Sequence, residues 1–137
     1  MNHWLLKSEP SSYSWEQLVA DKRTNWNGVR NHQAANNMKA MKKGDRAFFY
    51  HSGEGPAVVG VCEILREYYP DPTDETGRFG MVDVGALTAL KKPVSLAAIK
   101  AEKKLAGFAL VRQGRLSVVP VTAEEWKLIA GMGGTKA

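Results

Sequence analysis

The amino-acid sequence predicts one α+β domain built from short strands and short helices. Its 137 residues match the size of a single compact domain. Its composition, 44% hydrophobic and 24% charged, is that of an ordinary globular protein. About five short strand candidates interleave with helix candidates, without the regular alternation of a doubly wound parallel sheet. A small mixed β-barrel with helices packed on its outside fits this pattern, because closing a sheet removes its exposed edges.

The first elements follow from an apolar run and a helix-start signal. Residues 3–7 form a short strand candidate. Ser14, with Gln17 three positions later, has the spacing of a capping box, so a helix is expected from Ser14 to about Ala20. The polar, glycine-containing stretch 25–31 is expected to be a loop.

A second helix and a hairpin are expected in the middle of the chain. Residues 33–43 carry apolar side chains at helical spacing and are followed by Gly44, a helix-stop residue. Residues 47–51 and 57–65 have the composition of strands. The glycine-rich segment 52–56 between them indicates a hairpin loop.

The second half of the chain predicts further strands and a closing helix. A turn-rich excursion over 70–80 precedes a strand over 81–90, and a helical stretch is expected over 95–104. Residues 108–119 are expected to be extended, with a break at Gln113 and Gly114. Thr122 and Glu125 form a second capping box, which predicts a helix to about residue 130.

Cysteine and histidine usage argues against disulfides and metal sites. Cys62 is the one cysteine, and its apolar surroundings at 58–64 predict a core position. The three histidines do not have the spacing of metal ligands. We therefore expect no metal and no other cofactor.

The N-terminus lacks the basic-then-apolar layout of a signal peptide, and no apolar run approaches about 18 residues. These features predict a cytoplasmic protein that does not associate with a membrane.

No catalytic constellation is evident. His51 and Ser52 are neighbours on a strand, so their side chains point to opposite faces and cannot form a nucleophile–base pair. A nucleophile elbow of the form G-x-S-x-G is absent, and no glycine cluster has the P-loop pattern. The sequence therefore predicts a binding protein rather than an enzyme.

The net charge favours a polyanionic partner. Nineteen lysines and arginines against 14 aspartates and glutamates give a formal charge of +5. Nucleic acid is the polyanion that proteins with such a net charge most commonly bind.

Three segments combine cations or amides with a large apolar side chain. In each segment the cations or amides follow the apolar residue in the chain, which is Trp4, Trp26 or Leu110. A nucleobase site needs a flat or apolar wall for stacking, amides for the base edge and guanidinium groups for phosphate. The alternative, that the tryptophans belong to the core and the asparagines cap helices, is equally compatible with the residues alone.

Five blocks of the sequence, in this order, resemble the signature blocks of the EVE domain family. They are WLLKSEP at 4–10, WNGVRNHQA at 26–34, FFYHS at 48–52, YPDP at 69–72 and RQGRLSVVPV at 112–121. They span the chain from Trp4 to about Trp126, so residues 1–137 are interpreted as one EVE domain, similar to the stand-alone bacterial members.

The resemblance implies a PUA-like fold, a partly open β-barrel related to the YTH and SRA readers of methylated bases. It also implies a non-enzymatic, cofactor-free module that binds a modified base, notably a modified cytosine such as 5-methylcytosine in DNA, flipped into a pocket. The alternatives are an RNA-binding module and an enzyme acting on modified nucleotides. A monomer is expected, with any effector protein encoded elsewhere.

The resemblance also implies the site residues. The predicted modified-base pocket consists of Ser8, Glu9, Trp26, Val29, Asn31, Tyr50, His51, Ser52, Gln113 and Leu116. Trp26 and Tyr50 are expected to contact the face of the base, and Asn31, Ser52 and Glu9 its edge. The predicted phosphate contacts are Lys7, Arg30, Lys39, Arg112 and Arg115.

Overall fold

A computed structural model describes residues 1–135 and contains one mixed sheet with helices around it. The strands are β1 His3–Ser8, β2 Arg23–Asn25, β3 Arg46–His51, β4 Ala57–Pro70, β5 Gly80–Ser95 and β6 Val118–Val121. The helices are α1 Trp15–Asp21, α2 His32–Ala40, α3 Leu96–Ala101, α4 Ala109–Arg112 and α5 Ala123–Met132, with a 3₁₀ turn at Lys103–Leu105. The predicted α+β class is confirmed.

The sheet is open rather than closed. Its strand order is β2-β5-β4-β3-β1-β6, in which β1 runs parallel to β3 and the other neighbouring pairs are antiparallel. Within residues 1–135 no pairing joins the end strands β2 and β6, so the prediction of a closed barrel is wrong. The end strands have only three and four residues. Short edge strands, rather than closure, therefore limit the unpaired backbone.

The segment 108–119 also differs from its predicted extended conformation. Residues Ala109–Arg112 form the short helix α4, and the strand begins only at Val118. The carbonyl of Phe108 accepts hydrogen bonds from the amides of Val111 and Arg112, which closes one helical turn. Burial of Phe108 and Leu110 stabilises this turn, since tertiary packing overrides the strand preference of a valine-containing segment.

Both predicted helix starts are present, but only one forms a complete capping box. Ser14 accepts a hydrogen bond from the Gln17 amide at 3.0 Å, whereas the Gln17 side chain donates to Asp21. Thr122 accepts from the Glu125 amide at 3.1 Å, and the Glu125 carboxylate accepts from the Thr122 amide at 2.9 Å. Helix α5 therefore begins with two reciprocal hydrogen bonds and α1 with one.

Aromatic residues fill the core on both faces of β3. Phe48 stacks on Trp126 of α5 with ring centroids 3.8 Å apart. The next residue, Phe49, makes edge contacts with Trp15 at 5.5 Å and with Trp26 at 5.6 Å. Because successive residues of a strand point to opposite faces, Trp126 and Trp26 lie on opposite sides of the sheet.

Strand β4 contributes two small residues to this packing. Cys62 is fully buried, its thiol donates to the Ala47 carbonyl at 3.5 Å, and burial raises its pKa to about 12. The predicted core position of Cys62 is confirmed. A Cβ atom at Gly60 would lie 2.6 Å from the Trp15 ring, so the close approach of α1 to the sheet requires glycine there.

None of the helices within residues 1–135 combines the length and the apolar composition that crossing a membrane requires.

Candidate nucleic-acid interface

One cavity lies between the end of β1 and the loop that follows β2, and we call it the main cavity because five of the predicted site residues line it. Its volume is about 510 Å³, within the range of small-molecule and cofactor sites. The lining residues are Lys7, Ser8, Ser12, Tyr13, Thr24, Asn25, Trp26, Asn27, Gly28, Val29, Arg30 and Ser117. This set includes three predicted pocket residues, Ser8, Trp26 and Val29, and two predicted phosphate contacts, Lys7 and Arg30.

Trp26 belongs to the core and to the cavity wall at once. It is 8% exposed and contacts Phe49 edge-on, and its backbone amide donates to the Val82 carbonyl of β5 at 2.8 Å. Val29, also 8% exposed, adds an apolar side chain to the same wall. The indole is thus held rigidly by the sheet while it lines the cavity.

Asp71 fixes the loop 26–30 from outside. Its side chain is completely buried and accepts hydrogen bonds from the Gly28 amide at 2.8 Å and from Arg30 Nη1 at 3.1 Å. The amide and hydroxyl of Thr73 donate to its other oxygen. Burial alone would raise the pKa of the carboxyl, but the hydrogen bonds it accepts outweigh burial and lower the pKa to about 2. Asp71 is therefore a charged anchor of the loop.

Gly28 meets a conformational requirement of this loop. Its φ of +84° lies in the left-handed region, which glycine adopts without steric cost. A Cβ atom would meet nothing within 4 Å. The turn therefore needs glycine for its backbone angles, and these angles direct the amide to Asp71.

The lining of the cavity also includes amide and hydroxyl side chains. The Asn27 side chain donates to the Asn25 side chain at 3.4 Å, and the Ser8 hydroxyl donates to the Tyr13 carbonyl at 2.5 Å. The Tyr13 hydroxyl donates to Asp21 at 2.8 Å, and burial, together with this hydrogen bond, raises its pKa. The lining thus combines apolar, partly aromatic side chains with hydrogen-bonding ones.

The side chain of Lys7 lines the main cavity, and we call it the ridge. Its Nζ donates to the Gly114 carbonyl at 2.8 Å and lies 5.9 Å from the centroid of the Tyr50 ring. Partial burial lowers the pKa of this amine. Lys7 thereby connects the main cavity to the segment that follows α4.

A second, smaller cavity includes Gly114, the residue whose carbonyl accepts from Lys7. Its volume is about 250 Å³, and it is lined by Asn31, Gln33, Gln113, Gly114, Arg115 and Leu116. Three predicted pocket residues, Asn31, Gln113 and Leu116, line this cavity and not the main one. Asn31 also caps α2, since its side-chain oxygen accepts from the Ala34 amide at 2.9 Å.

Four further predicted pocket residues line neither cavity. Tyr50 is 3% exposed beneath Lys7, and burial raises its pKa. His51 accepts a hydrogen bond from the Trp15 amide at 2.9 Å through Nε2, and burial lowers its pKa. The Ser52 amide donates to the Ser8 carbonyl. Glu9 is exposed beside the 52–56 hairpin loop.

Among the predicted phosphate contacts, the cations differ in their partners. Arg30 is bound to Asp71 and Thr73, so part of its charge is neutralised within the chain. Lys39 lies 5.6 Å from the centroid of the Tyr68 ring. Arg112 in α4 and Arg115 after it are exposed.

Sequence reasoning missed several residues of the main cavity and the anchor outside it. The missed lining residues are Ser12, Tyr13, Thr24, Asn25, Asn27, Gly28 and Ser117. The polar composition of residues 25–31 is a signal for Asn25 and Asn27. Asp71 lies in the YPDP block, but nothing in the sequence pairs it with a loop 43 positions away.

Comparison with known proteins identifies the family. A model of the EVE domain matches residues 2–132. Human thymocyte nuclear protein 1 is 35% identical over 165 aligned residues, covering 96% of this chain and 73% of the human protein. The crystal structure of human THYN1 protein in complex with DNA containing 5-methylcytosine matches with a TM-score of 0.93 and 33% identity over 100% of both chains.

Two further solved structures extend the comparison. A Rhodopseudomonas palustris protein solved by NMR is 58% identical, with a TM-score of 0.93 over 98% of this chain and 94% of that one. The YTH domain of Zygosaccharomyces rouxii MRB1 has a TM-score of 0.61 at 13% identity, over 96% of this chain and 86% of that one, which indicates a shared fold alone. The chain belongs to the EVE domain family.

Proposed function

We propose that this protein binds a modified cytosine in DNA, with the base extruded from the helix into the main cavity. The observation that carries the proposal is the similarity, over the whole chain, to the human THYN1 protein in complex with 5-methylcytosine DNA. The cavity itself is consistent with such a ligand, because its lining combines an aromatic side chain with amides and hydroxyls.

The apolar and the hydrogen-bonding side chains of the lining have separate roles in this proposal. Trp26 and Val29 contact the face of the base and the added methyl group, since both are apolar and rigidly held. The amides of Asn25 and Asn27 and the hydroxyl of Ser8 meet the hydrogen-bonding edge. Apolar contact with the methyl group and hydrogen bonds to the edge together select the modified base.

The cations around the cavity bind the DNA backbone. Lys7 on the ridge and the exposed Arg112 are suited to phosphate. We assign Arg30 primarily to positioning, because its guanidinium is bound to the buried Asp71 and to Thr73. Lys39 is a peripheral contact beside Tyr68.

We propose binding without chemical conversion of the base. Nε2 of His51 accepts a hydrogen bond from the Trp15 amide, so this nitrogen is already engaged and does not serve as a base for Ser52. The monomeric state, the cytoplasmic location and the separate effector protein stay predictions.

The test compares otherwise identical duplexes that carry one 5-methylcytosine or one plain cytosine, together with the corresponding RNA strands. A methyl group bound in an apolar pocket is expected to strengthen binding about five- to 150-fold. Equal affinity for methylated and plain DNA would contradict the proposal, and tighter binding of RNA would favour the RNA-binding alternative. Mass spectrometry of the recovered oligonucleotide should show an unchanged base, and a converted base would indicate an enzyme.

A further inference from the structure

The second cavity adjoins the main one at two places, where consecutive residues of the chain line one cavity and then the other. Arg30 lines the main cavity and Asn31 the second, while Ser117 lines the main cavity and Leu116 the second. In addition, Lys7, which lines the main cavity, donates a hydrogen bond to the carbonyl of Gly114, which lines the second. The two cavities are therefore neighbours on one surface, linked by a cationic side chain.

The second cavity is rich in hydrogen-bonding groups that the chain does not use itself. Gln33, Gln113 and Arg115 are exposed, and their side chains make no hydrogen bond or ion pair with any other residue in the described range 1–135. The side-chain oxygen of Asn31 caps α2, and its N–H groups make no hydrogen bond with another residue of the described range. The cavity consequently offers two free amides and one free guanidinium to a ligand.

We propose that this second cavity binds a purine next to the modified cytosine on the same strand, so that the protein recognises a two-nucleotide step. The inference rests on the proposed function, since it places the modified base in the neighbouring compartment. Lys7 on the ridge then contacts the phosphate that links the two nucleotides.

The side chains of the second cavity favour a purine over a pyrimidine. A purine presents two adjacent hydrogen-bonding positions, N7 and the substituent at C6, to one bidentate side chain. Arginine matches this pair in guanine, and glutamine matches it in adenine. A pyrimidine has no such adjacent pair, and it leaves the free amides and the guanidinium without matched partners.

This role replaces the phosphate contact that the sequence predicts for Arg115. The two roles differ in how they respond to lysine, which keeps the charge but lacks the bidentate geometry of arginine. Arg115→Lys should retain overall affinity and salt dependence if Arg115 contacts phosphate. If Arg115 binds a base edge, Arg115→Lys should lose the preference for a purine.

The experiment measures the affinity of the whole chain for duplexes in which each of the four bases stands in turn on the 5′ and the 3′ side of one 5-methylcytosine. Each duplex has a counterpart with plain cytosine. The proteins are the wild type, Gln113→Ala, Arg115→Ala and Arg115→Lys. Lys100→Ala, an exposed charge removal on α3, is the matched control.

At one of the two neighbouring positions the wild type should prefer a purine over a pyrimidine by about five- to 150-fold. Gln113→Ala, Arg115→Ala and Arg115→Lys should reduce this preference while the preference for 5-methylcytosine persists, and Lys100→Ala should change neither. Wild-type affinity that is independent of both neighbours, or a preference that survives all three variants, would overturn the inference.

The two proposals fail in distinguishable ways. A purine preference on methylated and plain duplexes alike, without any preference for the methyl group, would contradict the proposed function and support the second cavity. A preference for the methyl group without a preference for either neighbour would support the proposed function and contradict the role of the second cavity. Failure to bind any of the duplexes would contradict both.

Discussion

At the scale of single residues, Asp71 couples the loop of the main cavity to the rest of the fold. Its carboxylate is completely buried and accepts hydrogen bonds from Gly28, Arg30 and Thr73. Buried donors that lose their acceptor cost more free energy than the hydrogen bonds contribute on average. The position of the cavity wall therefore depends on a residue that does not line the cavity.

Asp71→Asn should destabilise the protein, because the amide group of asparagine brings a donor to face other donors. The expected loss is about 1–3 kcal/mol in the free energy of unfolding at neutral pH, measured by urea denaturation. Glu75→Gln removes a charge from an exposed position of the same excursion and should change stability little. Equal stability of Asp71→Asn and the wild type would show that the anchor is dispensable.

The same carboxylate gives the stability a defined pH dependence. The pKa of Asp71 is about 2 in the folded protein and about 3.9 for an unperturbed aspartate. Its stabilising contribution is fully present above the unfolded pKa and is lost as the pH falls towards the folded one. The stability difference between the wild type and Asp71→Asn should accordingly shrink between about pH 4 and pH 2.

Residue chemistry made part of the lining of the main cavity predictable and left its anchor hidden. Trp26 and Val29 stand out because a tryptophan, a glycine and amides share one short segment. The role of Asp71 does not follow from its neighbours, because its partners Gly28 and Arg30 are 43 and 41 positions away. Long-range pairing of this kind depends on how the sheet brings the segments together.

At the scale of elements, helix α5 is a structural support on the face of the sheet away from Trp26. Its reciprocal capping box joins Thr122 to Glu125, and its Trp126 stacks on Phe48. We therefore expect changes at the start of α5 to affect stability without affecting DNA binding.

Thr122→Ala should lower the free energy of unfolding by about 0.5–2 kcal/mol, because one orphan amide at the helix start loses its acceptor. Thr122→Ser keeps the hydroxyl and should retain most of the stability. Affinity for methylated DNA, measured where each variant is folded, should match the wild type in both. Weaker binding by folded Thr122→Ala would place α5 in the interface.

Elements with local signals were predictable, and elements fixed by distant contacts were not. The starts of α1 and α5 follow from Ser14 and Thr122, whose caps involve residues three positions away. Helix α4 has no side-chain cap, and burial of Phe108 and Leu110 stabilises it instead. The surrounding segment 108–119, with valines at 111, 118 and 119, therefore resembles a strand.

At the scale of the whole molecule, the sheet forms the centre of the core and also positions residues that line the main cavity. Strand alternation places Phe48 under Trp126 on one face and Phe49 under Trp26 on the other. The open sheet ends in short strands, and β2 leads directly into the loop of the main cavity. The sequence predicted the α+β class, whereas the aromatic–amide site stays a prediction. The open ends of the sheet were not predictable, because they depend on strand pairing.

The most direct test of a base-binding cavity walled by Trp26 is to measure melting and affinity for 5-methylcytosine DNA on Trp26→Ala and Trp126→Ala. Both truncations should cost about 3–5 kcal/mol of stability, since both side chains are buried. At a temperature where both variants are folded, Trp26→Ala should bind about five- to 150-fold more weakly than the wild type, because it no longer stacks on the base. Trp126→Ala, altered on the opposite face of the sheet, should bind like the wild type. Wild-type affinity in folded Trp26→Ala would contradict the assignment of the cavity to the modified base.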